Sequence, residues 1–137
     1  MKQGTLQNRW IIVEDKTGEK IGKICVRVDN PKNVRSRLAA METQLARVKN
    51  EFFKMAEVDP RGERYDKLNE LEQSIIEAIE KGFGAPASGV EKLFEKHRPV
   101  ETVNGKGFFE IVISGLLDGL KQAINQNRQV VSIKIEA

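Results

Sequence analysis

The sequence predicts a mainly α, α+β fold: an N-terminal β-hairpin, a long antiparallel helix hairpin, a short third helix, an apolar fourth helix and a strand-like C-terminal segment. Three observations predict it. Apolar residues alternate near both ends of the chain, they recur at steps of three and four between those ends, and Pro, Gly and Asn stand where the period changes. At 137 residues and 15.5 kDa the chain fits one domain, 1–137, with the hairpin over 10–28, the helical part over 30–127 and the strand-like tail over 129–137.

The run Trp10-Ile11-Ile12-Val13-Glu14 is β-branched and apolar, and Asp15-Lys16-Thr17-Gly18-Glu19 supplies turn chemistry after it. The next run, Ile21 to Val28, sets Ile24, Val26 and Val28 against Lys23, Cys25 and Arg27, so the pair reads as a hairpin with one buried face. Cys25 in such a run reads as a buried structural thiol. Asn30 can cap a helix whose first turn accepts Pro31. Val34, Leu38, Met41, Leu45, Val48, Phe52 and Met55 then keep a single apolar seam at steps of 4 and 3, the spacing that packs one helix lengthwise on another.

Asp59-Pro60 repeats the start signal after a break near Val58, and a second helix is expected from about Pro60 to Lys81 with Tyr65, Leu68, Leu71, Ile75 and Ile79 inward and Gly82 as its stop. The short connection makes the two helices antiparallel. Ser88 and Glu91 have capping-box spacing for a short third helix that docks through Val90, Leu93 and Phe94. Past a loop with Pro99 and Asn104-Gly105, the segment from Phe108 to Asn127 presents Phe109, Val112, Leu116, Leu120 and Ala123 on one face. Gly115 and Gly119 each cost about 1 kcal/mol against alanine in a helix, and close approach of another helix would explain them. Val131, Ile133 and Ile135 alternate with polar residues, so the tail pairs either with the hairpin of the same chain, the favoured reading, or with a neighbour.

Composition bounds the function. The chain is 39% hydrophobic and 31% charged, with a net charge of +3 that divides into +6 over residues 1–50 and −3 over residues 51–100. A basic first third beside an acidic middle suits electrostatic pairing within or between chains. No apolar run reaches the roughly 18 residues of a membrane span, and Met1 to Thr5 lacks a secretory core, so a cytoplasmic protein is expected.

Chemistry is sparse. The one histidine, His97, lies among charges and reads as a surface residue; Glu70, Glu72, Glu77 and Glu80 read as the solvated side of the second helix; one Cys with one His makes no metal set. The Gly-containing segments at 82–84 and 105–107 continue into no phosphate-binding pattern, although Lys106 precedes a helix. The residues therefore predict no catalytic, cofactor or metal site, and no enzyme. Lys32, Arg35, Arg37, Arg47 and Lys49 on the first helix could follow phosphates, but aromatic content is only 6% and nothing resembles a base-reading pattern, which disfavours nucleic acid.

The block Ile75-Ile76-Glu77-Ala78-Ile79-Glu80-Lys81-Gly82-Phe83-Gly84, followed by Ser88-Gly89-Val90-Glu91-Lys92-Leu93-Phe94 and by the apolar stretch from Phe108 to Leu120, resembles the tail assembly chaperones of long-tailed phages and prophages of Gram-positive bacteria. The resemblance covers about residues 10–127; the basic first third and the ending after Gln129 depart from it. It implies a non-enzymatic, homo-oligomeric helical protein that binds the tape measure protein and helps tail tube protein assemble around it. A helical client can be covered by an apolar groove. Val34, Leu38, Met41, Leu45, Val48, Phe52 and Met55, with Phe109, Val112, Leu116 and Leu120, are the candidates for core and groove. A coiled-coil adaptor or structural subunit of a phage particle and a basic nucleic-acid-binding accessory protein are the alternatives.

Overall fold

The computed structural model describes residues 8–57 and 63–137, without the side chains of residues 53, 55–57 and 63–66. Strands β1 (Asn8–Glu14) and β2 (Lys20–Arg27) form the expected antiparallel hairpin. Asp15 holds the turn: its Oδ1 accepts from the backbone N–H of Thr17 at 2.8 Å and of Glu19 at 3.0 Å, and from the Thr17 hydroxyl, while Gly18 takes a φ of 92°. The Thr17 hydroxyl bond, helped by the backbone donors and opposed by desolvation, holds the Asp15 carboxyl below its ordinary pKa.

Asn30 caps α1 (Pro31–Glu57) as its position suggests, with Oδ1 accepting from the Asn33 N–H at 2.9 Å. Arg37 reaches back from the helix, donating to both Asp29 carboxylate oxygens at 3.1 and 3.2 Å and to the Arg27 carbonyl at 2.5 Å. This clamps the helix start to the end of β2. Helix α2 (Glu63–Phe83) returns antiparallel: Lys67 lies 3.6 Å from Glu51, the Gln44 amide donates to the Ser74 carbonyl at 3.3 Å, and Gly82 faces Met41. The start signal Asp59-Pro60 and the break at Val58 lie outside the described residues, as do the side chains of Met55 and Tyr65.

Gly82 does not end the second helix. A Cβ there would stand 2.6 Å from Met41 Sδ, so the glycine lets α1 and α2 touch, and the stop is Gly84, with a φ of 63° and the Ala85 N–H closing on the Glu80 carbonyl at 2.9 Å. The Ser88–Glu91 capping box also fails to form. Helix α3 (Ala87–Lys92) starts from Pro86 with no side-chain cap, which places Ser88 inside the helix; Val90, Leu93 and Phe94 are buried as predicted.

The following loop contains more structure than its residues suggested. Strands β3 (Thr102–Val103) and β4 (Lys106–Gly107) make a small hairpin across Asn104 and Gly105, both at positive φ (52° and 80°), the geometry for which Asn-Gly is the preferred pair. Helix α4 (Phe108–Asn125) is closed off just beyond its end by Asn127, whose φ of 49° lets the Arg128 N–H reach the Ala123 carbonyl at 2.8 Å.

Strand β5 (Val130–Lys134) lies parallel to β1, so the sheet order is β2-β1-β5 and the C-terminal segment pairs within the chain. The inner face of the sheet, with Ile11, Val13, Ile24, Val26, Val131 and Ile133, shares one hydrophobic core with α4, α3 and the helix hairpin. Gly115 and Gly119 do permit a close approach, but by the sheet: a Cβ at 115 would meet Ile135 at 2.8 Å, and one at 119 would meet Ile11 at 3.0 Å and Ile133 at 3.1 Å.

Candidate functional site

The structure spends most of the predicted binding residues on its own core. Val34, Met41, Leu45 and Val48 are buried and Leu38 and Phe52 half-buried on the α1 seam, while Phe109, Val112, Leu116 and Leu120 are buried on α4. The α1 seam packs on α2, and the α4 face packs beneath the sheet. Met55 belongs to α1, and its side chain is outside the described residues.

Three of these residues nevertheless meet at a surface cleft. Val48 and Phe52 of α1 and Phe109 of α4 line it with Val100, and the β3–β4 hairpin forms its other wall through Thr102 and Lys106. Its volume is about 320 Å³, at the lower end of ordinary ligand and side-chain pockets. Lys49 Nζ and Glu110 Oε2, 3.4 Å apart, bridge from α1 to α4 at its edge. Such a cleft offers apolar contact inside and both signs of charge at the rim.

The start of α4 supplies no anion site beside Lys106. The Phe108 N–H donates to the Glu101 carbonyl at 2.8 Å and the Phe109 N–H to the Pro99 carbonyl at 2.9 Å, which satisfies the first donors of the helix from within the chain. Nearby, His97 is half-buried rather than fully solvated: its Nδ1 is 2.5 Å from Glu101 Oε2 and its ring is 5.0 Å from that of Phe108. The His97 hydrogen bond, against a smaller desolvation, keeps the Glu101 carboxyl below its ordinary pKa.

Glu72 is the main departure from the solvated acidic face. It is 8% exposed, and Arg98 holds it through Nε at 3.1 Å to both oxygens and Nη2 at 2.6 Å, with Nη2 also donating to Asn69 at 3.1 Å. The pair fastens the chain after α3 onto α2, a structural duty for two residues that spacing alone left on the surface.

The outer face of the sheet is a second surface. Trp10, 37% exposed, stands between Cys25 of β2 and Val130 of β5, itself 45% exposed, and Lys23 Nζ lies 5.0 Å from the Trp10 ring centroid. Cys25 is thus half-buried beside tryptophan rather than in the core, and partial burial still pushes its thiol pKa up. Sequence reasoning gave the hairpin one buried face but did not assemble this outer surface, because the run Trp10-Ile11-Ile12-Val13 is apolar throughout and Val130 joins Trp10 only through the long-range pairing of β5 with β1.

Among the described residues no group of three or more His, Cys, Asp or Glu could hold a metal ion, and no helix is long and apolar enough to cross a membrane. No protein-family model and no solved structure matches the chain. Over 111 residues, 81% of its length, the chain is 25% identical to DNA polymerase I of Caldicellulosiruptor bescii. It spans 13% of that much longer protein.

Proposed function

We propose that the chain is a non-enzymatic, protein-binding assembly factor of the tail assembly chaperone kind, with the tape measure protein as client and tail tube protein as the subunit whose assembly it assists. The observation that carries the reading is the cleft between α1 and α4, where Val48, Phe52 and Phe109 converge under a charged rim. A cleft of that size accepts one or two large apolar side chains from an amphipathic client helix, and the rim adds orientation more than affinity. Val34, Met41, Leu45, Val112, Leu116 and Leu120 are internal structure, so the client rests on this short contact rather than along the whole seam.

Co-expression with a candidate tape measure protein, followed by light scattering, tests it. A soluble complex with many copies per client is the expected result. Thr102→Arg, which fills the cleft from its exposed wall, should abolish the complex while leaving the fold intact; a protein that ignores the client, or a complex indifferent to Thr102→Arg, overturns the proposal.

A second reading is favoured by a specific surface. Trp10 with Lys23 above it, Arg27 on the same strand as Lys23, and Lys134 on β5 suit stacking and phosphate contact with single-stranded nucleic acid, and the partial likeness to a DNA polymerase points the same way. Trp10 is the only tryptophan, so quenching of its emission by an oligonucleotide, lost steeply as salt rises, is the signature. Unchanged emission would remove this reading.

A further inference from the structure

We infer that β5 is an interface between two copies of this chain, joined edge to edge and antiparallel about a two-fold axis at Ser132. The inference does not depend on the client proposed above.

The two edges of the sheet are treated differently. At β2, α3 presses on the strand so closely that a Cβ at Gly89 would lie 3.3 Å from the Lys23 carbonyl oxygen, and Arg37 takes up the Arg27 carbonyl. That edge is covered. At β5, the Trp10 N–H donates to the Gln129 carbonyl at 2.8 Å and the Ile135 N–H to the Glu14 carbonyl at 2.9 Å, so the odd-numbered residues of β5 face β1. In a strand the next residues point the other way, and the N–H and C=O groups of Val130, Ser132 and Lys134 therefore face outward. Among the described residues no hydrogen bond meets them. The strand carries no proline or bulge, and Lys134 is its one charged residue, a light defence for an edge rich in Val and Ile.

A second copy fits this edge on three counts. Antiparallel pairing centred on Ser132 sets Ser132 opposite its own counterpart and Val130 opposite Lys134, so the two lysines never face each other. The groove beside the edge, about 340 Å³ between β5 and α4, carries Glu110, Asp118 and Glu136 with Lys106 and Lys134, both signs together, as a self-matching surface requires. The helices also clear one another. Gly119 of α4 touches Ile11 of β1 and Ile133 of β5, so α4 lies beneath the gap between these strands. With strands about 4.8 Å apart, α4 stands about 5 Å from the axis, and the two copies bring their α4 helices to about 10 Å, an ordinary packing distance. The result is one sheet continuing from β2 of one copy to β2 of the other.

The test uses the full chain with Cys25→Ser, so that added cysteines are the only thiols. Light scattering over a dilution series should give a dimer of about twice 15.5 kDa. Ser132→Cys should then cross-link to itself under mild oxidation, since directly paired residues lie about 5.5 Å apart, whereas Val130→Cys alone and Lys134→Cys alone should not, and a mixture of those two should. Ser132→Pro removes an outward N–H that β1 does not use, and Ser132→Asp sets like charges face to face; each should raise the dissociation constant about tenfold or more with little change in thermal unfolding. A monomer at all concentrations, or a dimer that both Ser132 variants leave intact, overturns the inference. Client binding by such a monomer would leave the proposed function standing.

Discussion

Gly82→Ala sets two effects of opposite sign against each other. Alanine in place of glycine inside a helix stabilises it by about 1 kcal/mol when nothing else changes. At position 82 the added methyl would sit 2.6 Å from Met41 Sδ, 2.8 Å from Met41 Cβ and 3.0 Å from Met41 Cγ. The sulfur can rotate away, but the Cβ is fixed to the backbone of α1. Relief to an ordinary contact needs about 0.6 Å of separation between the helices, and a gap of that order forfeits a quarter to a half of the dispersion well for the atoms it opens. Overpacking of this kind costs about 1–3 kcal/mol, and because Met41 Cβ cannot move without its helix the cost here falls in the upper part of that range, about 2–3 kcal/mol. The steric cost wins, and the net loss should be about 1–2 kcal/mol, or about 4–8 °C in Tm for a domain of this size. Urea and thermal unfolding followed by far-UV circular dichroism measure it. Adding Met41→Ala should recover part of the loss relative to the sum of the single changes, by at least about 0.5 kcal/mol, because the Cγ and Sδ contacts disappear. A Gly82→Ala protein as stable as the parent, or more so, would refute the reasoning, since helix propensity would then outweigh the contact.

Three further outcomes are expected. Asn30→Ala removes the acceptor for the Asn33 N–H and should cost about 1 kcal/mol in denaturant unfolding. Desolvation raises the Asp29 carboxyl, but the hydrogen bonds from Arg37, from the Asn30 N–H and from the Asn33 amide outweigh it and bring it to about 2 from 3.8; its contribution is complete above about pH 4 and is lost as pH falls through 2, so Asp29→Asn should flatten the acid limb of the stability profile there. Arg98→Ala leaves the buried Glu72 carboxylate without its bidentate partner; calorimetry should show a loss of about 2 kcal/mol, below the 3–5 kcal/mol of a fully buried pair because the Arg98 side chain is 49% exposed.

Local chemistry was legible in the sequence and close contact was not. The Asn30-Pro31 start, the β-branched run of β1, the alternation in β2, the seam of α1 and the strand character of residues 130–135 all follow from periods, residue types and caps that a short window contains. Gly82 and Gly84 look alike in such a window. Only the approach of Met41 makes the first an interior position and leaves the second as the stop. Glu72 kept a helical spacing consistent with solvent because the residue that buries and neutralises it, Arg98, lies 26 positions away. The candidate site shows the same division. Periodicity marks apolar faces whose described members are buried or half-buried, yet which of them are spent on the core depends on how α4 meets the sheet, and the Val48–Phe52–Phe109 cleft depends on a hairpin at Asn104-Gly105 that a short window does not distinguish from a plain loop.

The parallel pairing of β1 with β5 also orders events in time. During synthesis the β1–β2 hairpin and the antiparallel helices can form from neighbours in sequence, but the far side of β1 has no partner until residues 130–135 emerge from the ribosome. Loop closure over that distance is slow compared with helix pairing. The nascent chain must therefore carry the central strand of its own sheet, with Ile11 and Val13 in it, open on one side until residues 130–135 have been made. Premature termination after α4 would make that transient state permanent, giving a helical protein of near-normal far-UV spectrum whose unfinished β1 edge seeks strands from other molecules.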